Sequence, residues 1–330
     1  MQNVLVTGGA GYVGSVCSHE LLKRGHAVTI IDDLSTGHRE AVPDDAEFLC
    51  IDIGNRAAVT ELLSKRRFDV VFHFAAKALI AESVSNPGRF FDSNLGSGIA
   101  FLECVRQAGI RNFVFSSTAA VYGNPRSTPI YEDAPKEPVN AYGESKLALE
   151  RILKWYCTGY DWSVTAFRYF NASGSTPGNG ERHEPETHIL PLLLQVASGR
   201  RSSFQIYGTD YPTPDGTCLR DYVHVLDIAH AHLLALQRLG SPGFRAFNIG
   251  TGRSHSVKEV CEIVERLTGR KLDIRTGPRR PGDPAVLCAS PDAISNEFGW
   301  RPSHSDLLEI VRSAWQWELA QCETETASTI

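Results

Sequence analysis

The sequence has no cysteine pair at the spacing of a zinc or redox motif. Its eight cysteines are spread evenly along 330 residues, and several lie within apolar runs such as 49–51. We therefore predict free, buried thiols in a cytoplasmic protein, with neither zinc nor disulfides. The first predicted strand begins at Asn3, so we expect no signal peptide.

Long hydrophobic runs and long basic runs are also lacking. No apolar stretch reaches the ~20 residues that cross a membrane. The net charge is -5 and the sequence pI is about 6.1. These features argue against a membrane span and against nucleic acid or an acidic membrane as the main partner. A chain of this length is expected to form two lobes.

A glycine-rich loop follows the first predicted strand and precedes a helical run. The glycines at 8, 11 and 14 have the spacing of a dinucleotide-binding turn. The first permits a tight turn, the second lets backbone approach a pyrophosphate, and the third lets the helix pack on the sheet. The predicted cofactor contacts of this loop are Gly8, Gly11, Tyr12, Val13 and Gly14.

The second predicted strand ends in two aspartates. Asp32 lies at the strand tip, where a carboxylate accepts hydrogen bonds from both ribose hydroxyls and repels a 2′-phosphate. The sequence therefore favours NAD over NADP, with Asp33 and Leu34 as neighbouring contacts.

Further strands alternate with helical runs. The stretches 47–51, 70–74 and 112–115 are continuously apolar, as in a parallel sheet covered on both faces. We predict an α/β fold: a Rossmann-type, doubly wound parallel sheet in residues 1–172 and a smaller C-terminal α/β substrate lobe in 173–330. Residues of about 221–250 are expected to return to the first domain. The polar tail after Gln321 is expected to be disordered.

Ligands of open α/β sheets bind at the carboxyl ends of the strands. Thr118, at such an end, is a candidate hydroxyl partner for a substrate, and a plain strand-end turn explains it equally well. The other predicted cofactor contacts on these strand ends and the following segments are Asp52, Ile53, Phe74, Ala75, Ala76, Asn94, Ser116 and Phe170.

Tyr142 and Lys146 are four residues apart at the start of a helical run, so they lie on one face of a helix. An ammonium group beside a phenol favours the phenolate. Lowering a tyrosine pKa from about 10 to neutrality needs roughly 4 kcal/mol, which one lysine and a cationic cofactor would supply. The pair then forms a general base near neutral pH, provided that a nicotinamide site surrounds it. Without that site, an interfacial tyrosine and a solvated lysine explain the spacing.

Several motifs together resemble the extended short-chain dehydrogenase/reductase family, and within it the UDP-hexose 4-epimerases. They are TGGAGYVGS (7–15), HFAA (73–76), SSTAAVYG (116–123), YGESK (142–146), RYFNASG (168–174), DYPTPDGTCLRDYVHV (210–225) and RRPGD (279–283). The resemblance runs from residue 4 to about 317. It implies that NAD is held tightly and that C4 of a UDP-hexose (UDP-glucose or UDP-galactose) is inverted through a transient 4-keto sugar. It also implies that Tyr142 acts as base, that Lys146 lowers its pKa, and that Thr118 binds the reacting oxygen.

Two arginines are candidates to clamp a diphosphate, because guanidinium matches phosphate bidentately. They are Arg220 and Arg280, with Asp283 as acceptor for a ribose hydroxyl and Tyr222 stacking or hydrogen bonding nearby. The resemblance implies that Asn171, Arg220, Arg280 and Asp283 contact the nucleotide sugar.

Two further substrate positions depart from the family pattern. His188 stands where some members carry an asparagine that contacts the diphosphate. Leu287 stands where the family limits the size of the sugar pocket, and its intermediate size leaves UDP-N-acetylhexosamines open as substrates.

Three other functions are compatible with parts of this pattern. Ala119 and Ala120 follow Thr118 where a sugar 4,6-dehydratase needs an acid pair, which disfavours that activity. A UDP-pentose or UDP-uronate 4-epimerase stays open, as does a non-catalytic NAD-binding interaction protein, although the latter tends to lose the Tyr/Lys pair. No metal site is predicted.

The cluster of His224, His230 and His232 does not suggest a metal, because the spacing puts His230 and His232 on different faces of a helix. A homodimer is expected, through helices at 92–108 and 145–156.

Overall fold

The computed structural model describes residues 1–280 and 283–328. The helices are α1 Tyr12–Lys23, α2 Arg56–Lys65, α3 Ile80–Ser85, α4 Pro87–Phe90, α5 Ser97–Gln107, α6 Ala141–Tyr160, α7 Ile189–Ser198, α8 Val225–Leu234, α9 Val257–Thr268, α10 Asp292–Phe298 and α11 Leu307–Ser328. Short 3-10 helices cover Arg39–Ala41, Ala119–Tyr122 and Ala235–Arg238, and a π-helix covers Phe91–Gly96.

The longer strands are β1 Asn3–Thr7, β2 Ala27–Asp32, β3 Glu47–Cys50, β4 Val70–His73, β5 Asn112–Thr118, β6 Ser163–Tyr169, β10 Phe204–Tyr207, β13 Gly243–Ile249 and β15 Ile274–Gly277. The short strands are β7 Asn171–Ser173, β8 Ser175–Thr176, β9 Asn179–Gly180, β11 Leu219–Arg220, β12 Tyr222–His224, β14 His255–Ser256 and β16 Val286–Leu287.

A seven-stranded sheet in the order β13-β6-β5-β4-β1-β2-β3 forms the centre of the molecule. All its pairs are parallel, and the chain winds outward from β1 in both directions, so the topology reverses between β1 and β4. The predicted fold class, a Rossmann-type doubly wound parallel sheet, is confirmed. Such a reversal opens a crevice at the carboxyl ends of the strands, where these folds bind their ligands.

Apolar side chains cover both faces of this sheet. Val6, Val16 and Ile228 belong to the core on the side of α1 and α8, whereas Phe101 and Leu153 belong to the core on the side of α5 and α6. Each fully buried side chain of this size contributes about 1.5–3 kcal/mol. The apolar runs of the strands are therefore explained by burial on two faces.

The smaller lobe has its own core, built from α7, α9, α11 and β10. Leu193, Val264 and Ile310 are fully buried in it. β13 lies in the main sheet beside β6, and α8 packs against α1. Both elements fall in the segment expected to return to the first domain. The boundary at residue 172 stays a prediction.

Some elements differ from the sequence-based expectation. α11 continues to Ser328, so the tail after Gln321 is helical rather than disordered up to that residue. The helix expected at 92–108 begins as the π-helix, and β5 extends to Thr118. Within the described residues, no helix combines the length and the apolar character that a membrane crossing needs.

An ion pair lies inside the protein between α6 and β6. Arg168 and Glu150 are both almost fully buried and form a bidentate pair, with Arg168 Nε–Glu150 Oε1 at 2.9 Å and Arg168 Nη2–Glu150 Oε2 at 2.7 Å. The hydroxyl of Ser117 also donates to Glu150 (2.6 Å), and Arg168 donates to the hydroxyl of Tyr122 (2.8 Å). The pair fixes the C-terminal end of β5 against α6.

We predict that Glu150→Gln lowers the free energy of unfolding by about 3–5 kcal/mol, because the guanidinium of Arg168 keeps its charge but loses its buried counter-ion. Urea unfolding followed by circular dichroism measures the loss. The control is Glu61→Gln, because Glu61 and its partner Lys65 are both exposed. Its unfolding midpoint should match that of the parent protein. Equal midpoints for the two variants would contradict the prediction.

Candidate active site

A cleft of about 950 Å³ lies at the carboxyl ends of the sheet strands and continues to the smaller lobe. It brings together nearly all of the predicted site residues. Those that line it are Gly8, Gly11, Tyr12, Val13, Gly14, Asp32, Asp33, Asp52, Ile53, Phe74, Ala75, Ala76, Ser116, Thr118, Tyr142, Lys146, Phe170, Asn171, His188, Arg220, Tyr222, Arg280, Asp283 and Leu287.

The three positions of the loop favour glycine for different steric and conformational reasons. Gly8 has φ +72°, and a Cβ there would lie 2.4 Å from the backbone nitrogen of Ala75. A Cβ on Gly14 would lie 2.2 Å from the carbonyl oxygen of Gly8. Gly11 precedes α1 without a side-chain cap, and a Cβ there would meet only that oxygen, at 3.4 Å. Gly8 and Gly14 therefore serve the fold, whereas Gly11 keeps the helix N-terminus open to the cleft.

Asp32 is held firmly at the tip of β2. Its carboxylate accepts the N–H groups of Ala10 (3.0 Å) and Leu34 (2.9 Å). Burial raises the pKa of Asp32, and the two backbone hydrogen bonds oppose that rise. A carboxylate has about four acceptor sites, so two remain for a ligand.

Two predicted cofactor contacts do not line the cleft. The side chain of Asn94 instead holds the backbone of Lys77, accepting from its N–H (2.8 Å) and donating to its carbonyl (3.0 Å), and it donates to Ser145 (3.1 Å). Leu34 contributes its N–H to Asp32 and adopts φ 57°. In the unliganded protein these hydrogen bonds position the cleft wall, and a contact of either residue with the cofactor stays a prediction.

Lys146 reaches the cleft from the second turn of α6. It is only 3% exposed, and its Nζ donates to the carbonyl oxygen of Ser116 at 2.8 Å. The ammonium also lies 5.0 Å from the centre of the Phe115 ring. Burial lowers the pKa of Lys146 to about 7, although the charge of Glu150 opposes this shift.

Tyr142 occupies the first turn of α6, which Asn140 caps by accepting the N–H of Gly143 at 2.8 Å. Burial raises the pKa of Tyr142, and a hydrogen bond with Thr118 partly offsets the rise. Burial therefore dominates the pKa of Tyr142 in the unliganded protein, and the expectation that Lys146 lowers it stays a prediction. A deprotonated Tyr142 needs further positive charge from a ligand.

The other end of the cleft carries the two predicted arginines. Arg220 forms an ion pair with Asp283, and the guanidinium of Arg280 stacks on the ring of Tyr207 at 4.0 Å. The hydroxyl of Tyr222 is buried and has no hydrogen-bond partner among the described residues. These groups match an anionic ligand with hydroxyl groups, although Pro281 and Gly282 of the RRPGD motif lie outside the described residues.

His188 differs from the asparagine that the family places at this position. Its Nδ1 lies 2.8 Å from Glu181 and 2.9 Å from Glu186. Burial favours neutral histidine, but the two carboxylates overcome it and raise the pKa of His188. Sequence analysis missed this cluster, which also includes His183. The repeated spacing Glu-x-His followed by Glu-x-His was its available signal.

The histidines near α8 are separated as the helical spacing predicts. His230 lies 3.6 Å from Glu20, whereas His232 is buried and its Nε2 lies 2.6 Å from the hydroxyl of Tyr169. Asp227 and His304 do approach His230, so an acidic neighbour that the sequence did not indicate is present.

The fold and the cleft are those of the Rossmann-type, dinucleotide-binding class of proteins, and comparison with known proteins identifies the family. The model of the NAD dependent epimerase/dehydratase family matches residues 4–250. The chain belongs to this family, as the sequence motifs indicated.

The relatives carry a more specific name. UDP-glucose 4-epimerase of Corynebacterium glutamicum is 47% identical over 317 residues, which are 96% of each chain. The structure of UDP-glucose 4-epimerase from Brucella ovis in complex with NAD has a TM-score of 0.93 at 41% identity, covering 96% of this chain and 98% of that one. The UDP-glucose-4-epimerase of Stenotrophomonas maltophila, with bound NAD and formylated UDP-arabinopyranose, has a TM-score of 0.94 at 39% identity and covers 98% and 100%.

Two glycine variants test the division of roles in the loop. We predict that Gly14→Ala destabilises the protein by about 1–3 kcal/mol or more, because its Cβ would overlap the backbone of Gly8. Gly11→Ala should cost no more than about 1 kcal/mol, the scale of a changed helix cap. Urea unfolding without added ligand makes the comparison, and a Gly11→Ala variant less stable than Gly14→Ala would contradict it.

Proposed function

We propose that this protein is an NAD-dependent epimerase that inverts C4 of a UDP-hexose, interconverting UDP-glucose and UDP-galactose through a transient 4-keto sugar. The observation that carries the proposal is the meeting of Tyr142, Lys146 and Thr118 beside the glycine loop, in one cleft with two arginines. The names of the relatives agree with this activity.

The residues present fit NAD. The side chain missing at Gly11 leaves the N-terminus of α1 accessible to a pyrophosphate, and Asp32 retains acceptor capacity for ribose hydroxyls. Ser116, Phe170 and the wall formed by Ala75 and Ala76 complete the cofactor side of the cleft. When bound, NAD supplies a hydride acceptor and a positively charged ring.

The chain itself supplies the proton transfer. We assign to Tyr142 the removal of the C4 hydroxyl proton and its return, and to Thr118 a hydrogen bond to the same oxygen. Since burial raises the pKa of Tyr142, the tyrosine keeps its proton until positive charge is added beside it. The ammonium of Lys146, anchored on Ser116, provides part of that charge.

The nucleotide end of the cleft serves to hold the substrate while its sugar turns. We assign to Arg220 and Arg280 the diphosphate and to Asp283 a ribose hydroxyl. To Tyr222 we assign a further hydrogen bond from its hydroxyl, which has no partner among the described residues. Asn171 and Leu287 are assigned to the sugar, and His188 to the diphosphate through its Nε2, since its Nδ1 faces Glu181 and Glu186. A firm grip on the nucleotide lets the 4-keto sugar present either face before hydrogen returns to C4.

A direct assay tests the function. Purified protein is incubated separately with UDP-galactose, UDP-N-acetylgalactosamine and UDP-arabinose, and the products are separated by chromatography. We expect UDP-glucose from UDP-galactose, with a deuterium label at C4 retained in the product. Loss of that label to water, or a dehydrated product, would overturn the assignment.

We predict that Tyr142→Phe folds and binds NAD but loses at least about 10²-fold in rate, because it removes the general base. The initial rate of UDP-glucose formation measures the loss. Tyr131→Phe is the control, since Tyr131 is exposed and does not line the cleft. Near-parental turnover by Tyr142→Phe would contradict the assigned role.

We also propose a homodimer that works in the cytoplasm. Support for the dimer comes from large apolar side chains exposed on adjacent helices: Ile99 on α5, and Trp155 on α6, which is 74% exposed. Gly98 and Leu149 bring these two helices into contact. Support for the compartment comes from the free cysteines of the described chain, most of which are buried.

We predict that Trp155→Glu converts the dimer into a monomer at micromolar concentration. A buried tryptophan anchor is worth at least about 2 kcal/mol of association, roughly 30-fold in affinity. Sedimentation velocity measures the change. Leu319→Glu, at an exposed position on α11, should remain dimeric. A parental protein that sediments only as monomer would refute the dimer.

A further inference from the structure

Four side chains of the segment between β9 and α7 converge on one point. They are Glu181, His183, Glu186 and His188, and one nitrogen or oxygen from each lies within 4.8 Å of all the others. The cluster separates the main cleft from a smaller cavity of about 130 Å³. Glu181, His183 and Glu186 also line that smaller cavity, so the point of convergence borders open space.

The spacing of the four groups is close to that of a tetrahedral metal site. His188 Nδ1 lies 2.8 Å from Glu181 Oε1 and 2.9 Å from Glu186 Oε1, and His183 Nδ1 lies 3.4 Å from Glu181 Oε1. Ligand atoms bound tetrahedrally to Zn²⁺ at its usual bond lengths are ~3.3 Å apart. Small side-chain movements would therefore place all four atoms around one ion.

Atoms of this cluster also remain available as metal ligands. His183 Nδ1 is buried and has no hydrogen-bond partner in the described part of the chain. Glu186 is oriented by the backbone: its Oε1 accepts the N–H groups of Thr187 (2.7 Å) and His188 (2.8 Å) and lies 2.9 Å from His188 Nδ1. Among the described residues its Oε2 accepts only the N–H of His183, at 3.4 Å, so Oε2 keeps acceptor capacity for an ion. Carboxylates fixed by such outer hydrogen bonds make better metal ligands than mobile ones.

We propose that Glu181, His183, Glu186 and His188 form a structural binding site for a transition-metal dication of the Zn²⁺ class. Two imidazoles and two carboxylates are a donor set that such ions accept. Their two negative charges would balance the ion, and four protein ligands would leave no position open for chemistry.

The location indicates what the ion would do. The segment carries Arg182, whose carbonyl oxygen accepts from His38 (2.8 Å) in the loop after β2, and Glu181, whose carbonyl accepts from Trp317 (3.3 Å) of α11. An ion bound to both ends of the segment would cross-link it. It would thereby fix the contact between the smaller lobe and the cofactor side of the cleft.

A second cluster provides the matched control. Asp227, His230 and His304 also approach within 4.8 Å. However, each carboxylate oxygen of Asp227 already accepts two hydrogen bonds of 2.6–3.1 Å from Ser303, His304 and Ser305, so neither oxygen keeps the capacity that Oε2 of Glu186 has. This cluster is therefore not proposed as a site.

The test is titration of the full-length protein, dialysed against EDTA and then against buffer, with Co²⁺ followed by visible absorption. We expect one Co²⁺ per chain with the intense bands of a four-coordinate ion, displaced by Zn²⁺. His183→Gln and Glu181→Gln should each weaken binding at least about tenfold, whereas His230→Gln should leave it unchanged. Zn²⁺ should raise the melting temperature of the parental protein and of His230→Gln. It should not raise that of His183→Gln or Glu181→Gln.

Three results would overturn the proposal: no stoichiometric Co²⁺ binding, equal affinity in His183→Gln and the parent, or loss of binding in His230→Gln only. Circular dichroism confirms that each variant is folded. If His183→Gln does not fold, Glu181→Gln takes its place in the comparison with the parent. Because the readouts are absorption and melting temperature, they do not depend on epimerase activity.

Discussion

The contact between β5 and α6 is the constraint on which the proposed catalytic arrangement depends. Three consecutive residues of the strand each hold one residue of the helix: Ser116 accepts from Lys146, Ser117 donates to Glu150, and Thr118 hydrogen bonds with Tyr142. A shift of the helix along the strand would break all three contacts together. Tyr142, Lys146 and Thr118 therefore have fixed positions relative to the sheet, as the proposed proton transfer by oriented groups requires.

A buried polar network beside this contact between β5 and α6 stabilises it. Arg168 on β6 pairs with Glu150 and also donates to Tyr122, whose hydroxyl donates to Asn248 on β13 at 2.7 Å. The N–H of Asn248 in turn donates to Glu132 at 2.7 Å. Such a network is stabilising only because its members are satisfied, since each unpaired buried charge would cost several kcal/mol. The network links α6 to β13, the strand of the main sheet that lies farthest from the glycine loop.

The basicity of Tyr142 depends on the protein and on the bound ligands together. Burial raises the pKa of Tyr142 and lowers that of Lys146, so the unliganded protein favours a neutral phenol and a weakly held ammonium proton. Base strength at Tyr142 then depends on which charges enter the cleft.

The sequence alone determined the elements whose signals are local. The glycine spacing, the acidic tip at Asp32, the four-residue Tyr142–Lys146 interval and the continuous apolar strands all reflect periodicity or adjacency in the chain, and the parallel sheet followed from them. Tertiary structure alone decided the rest. It turned the side chain of Asn94 towards the backbone of Lys77, buried Tyr142 so that its pKa is raised, and joined Glu181 to His188. Each of these depends on burial and on contacts between distant segments, which residue spacing does not encode.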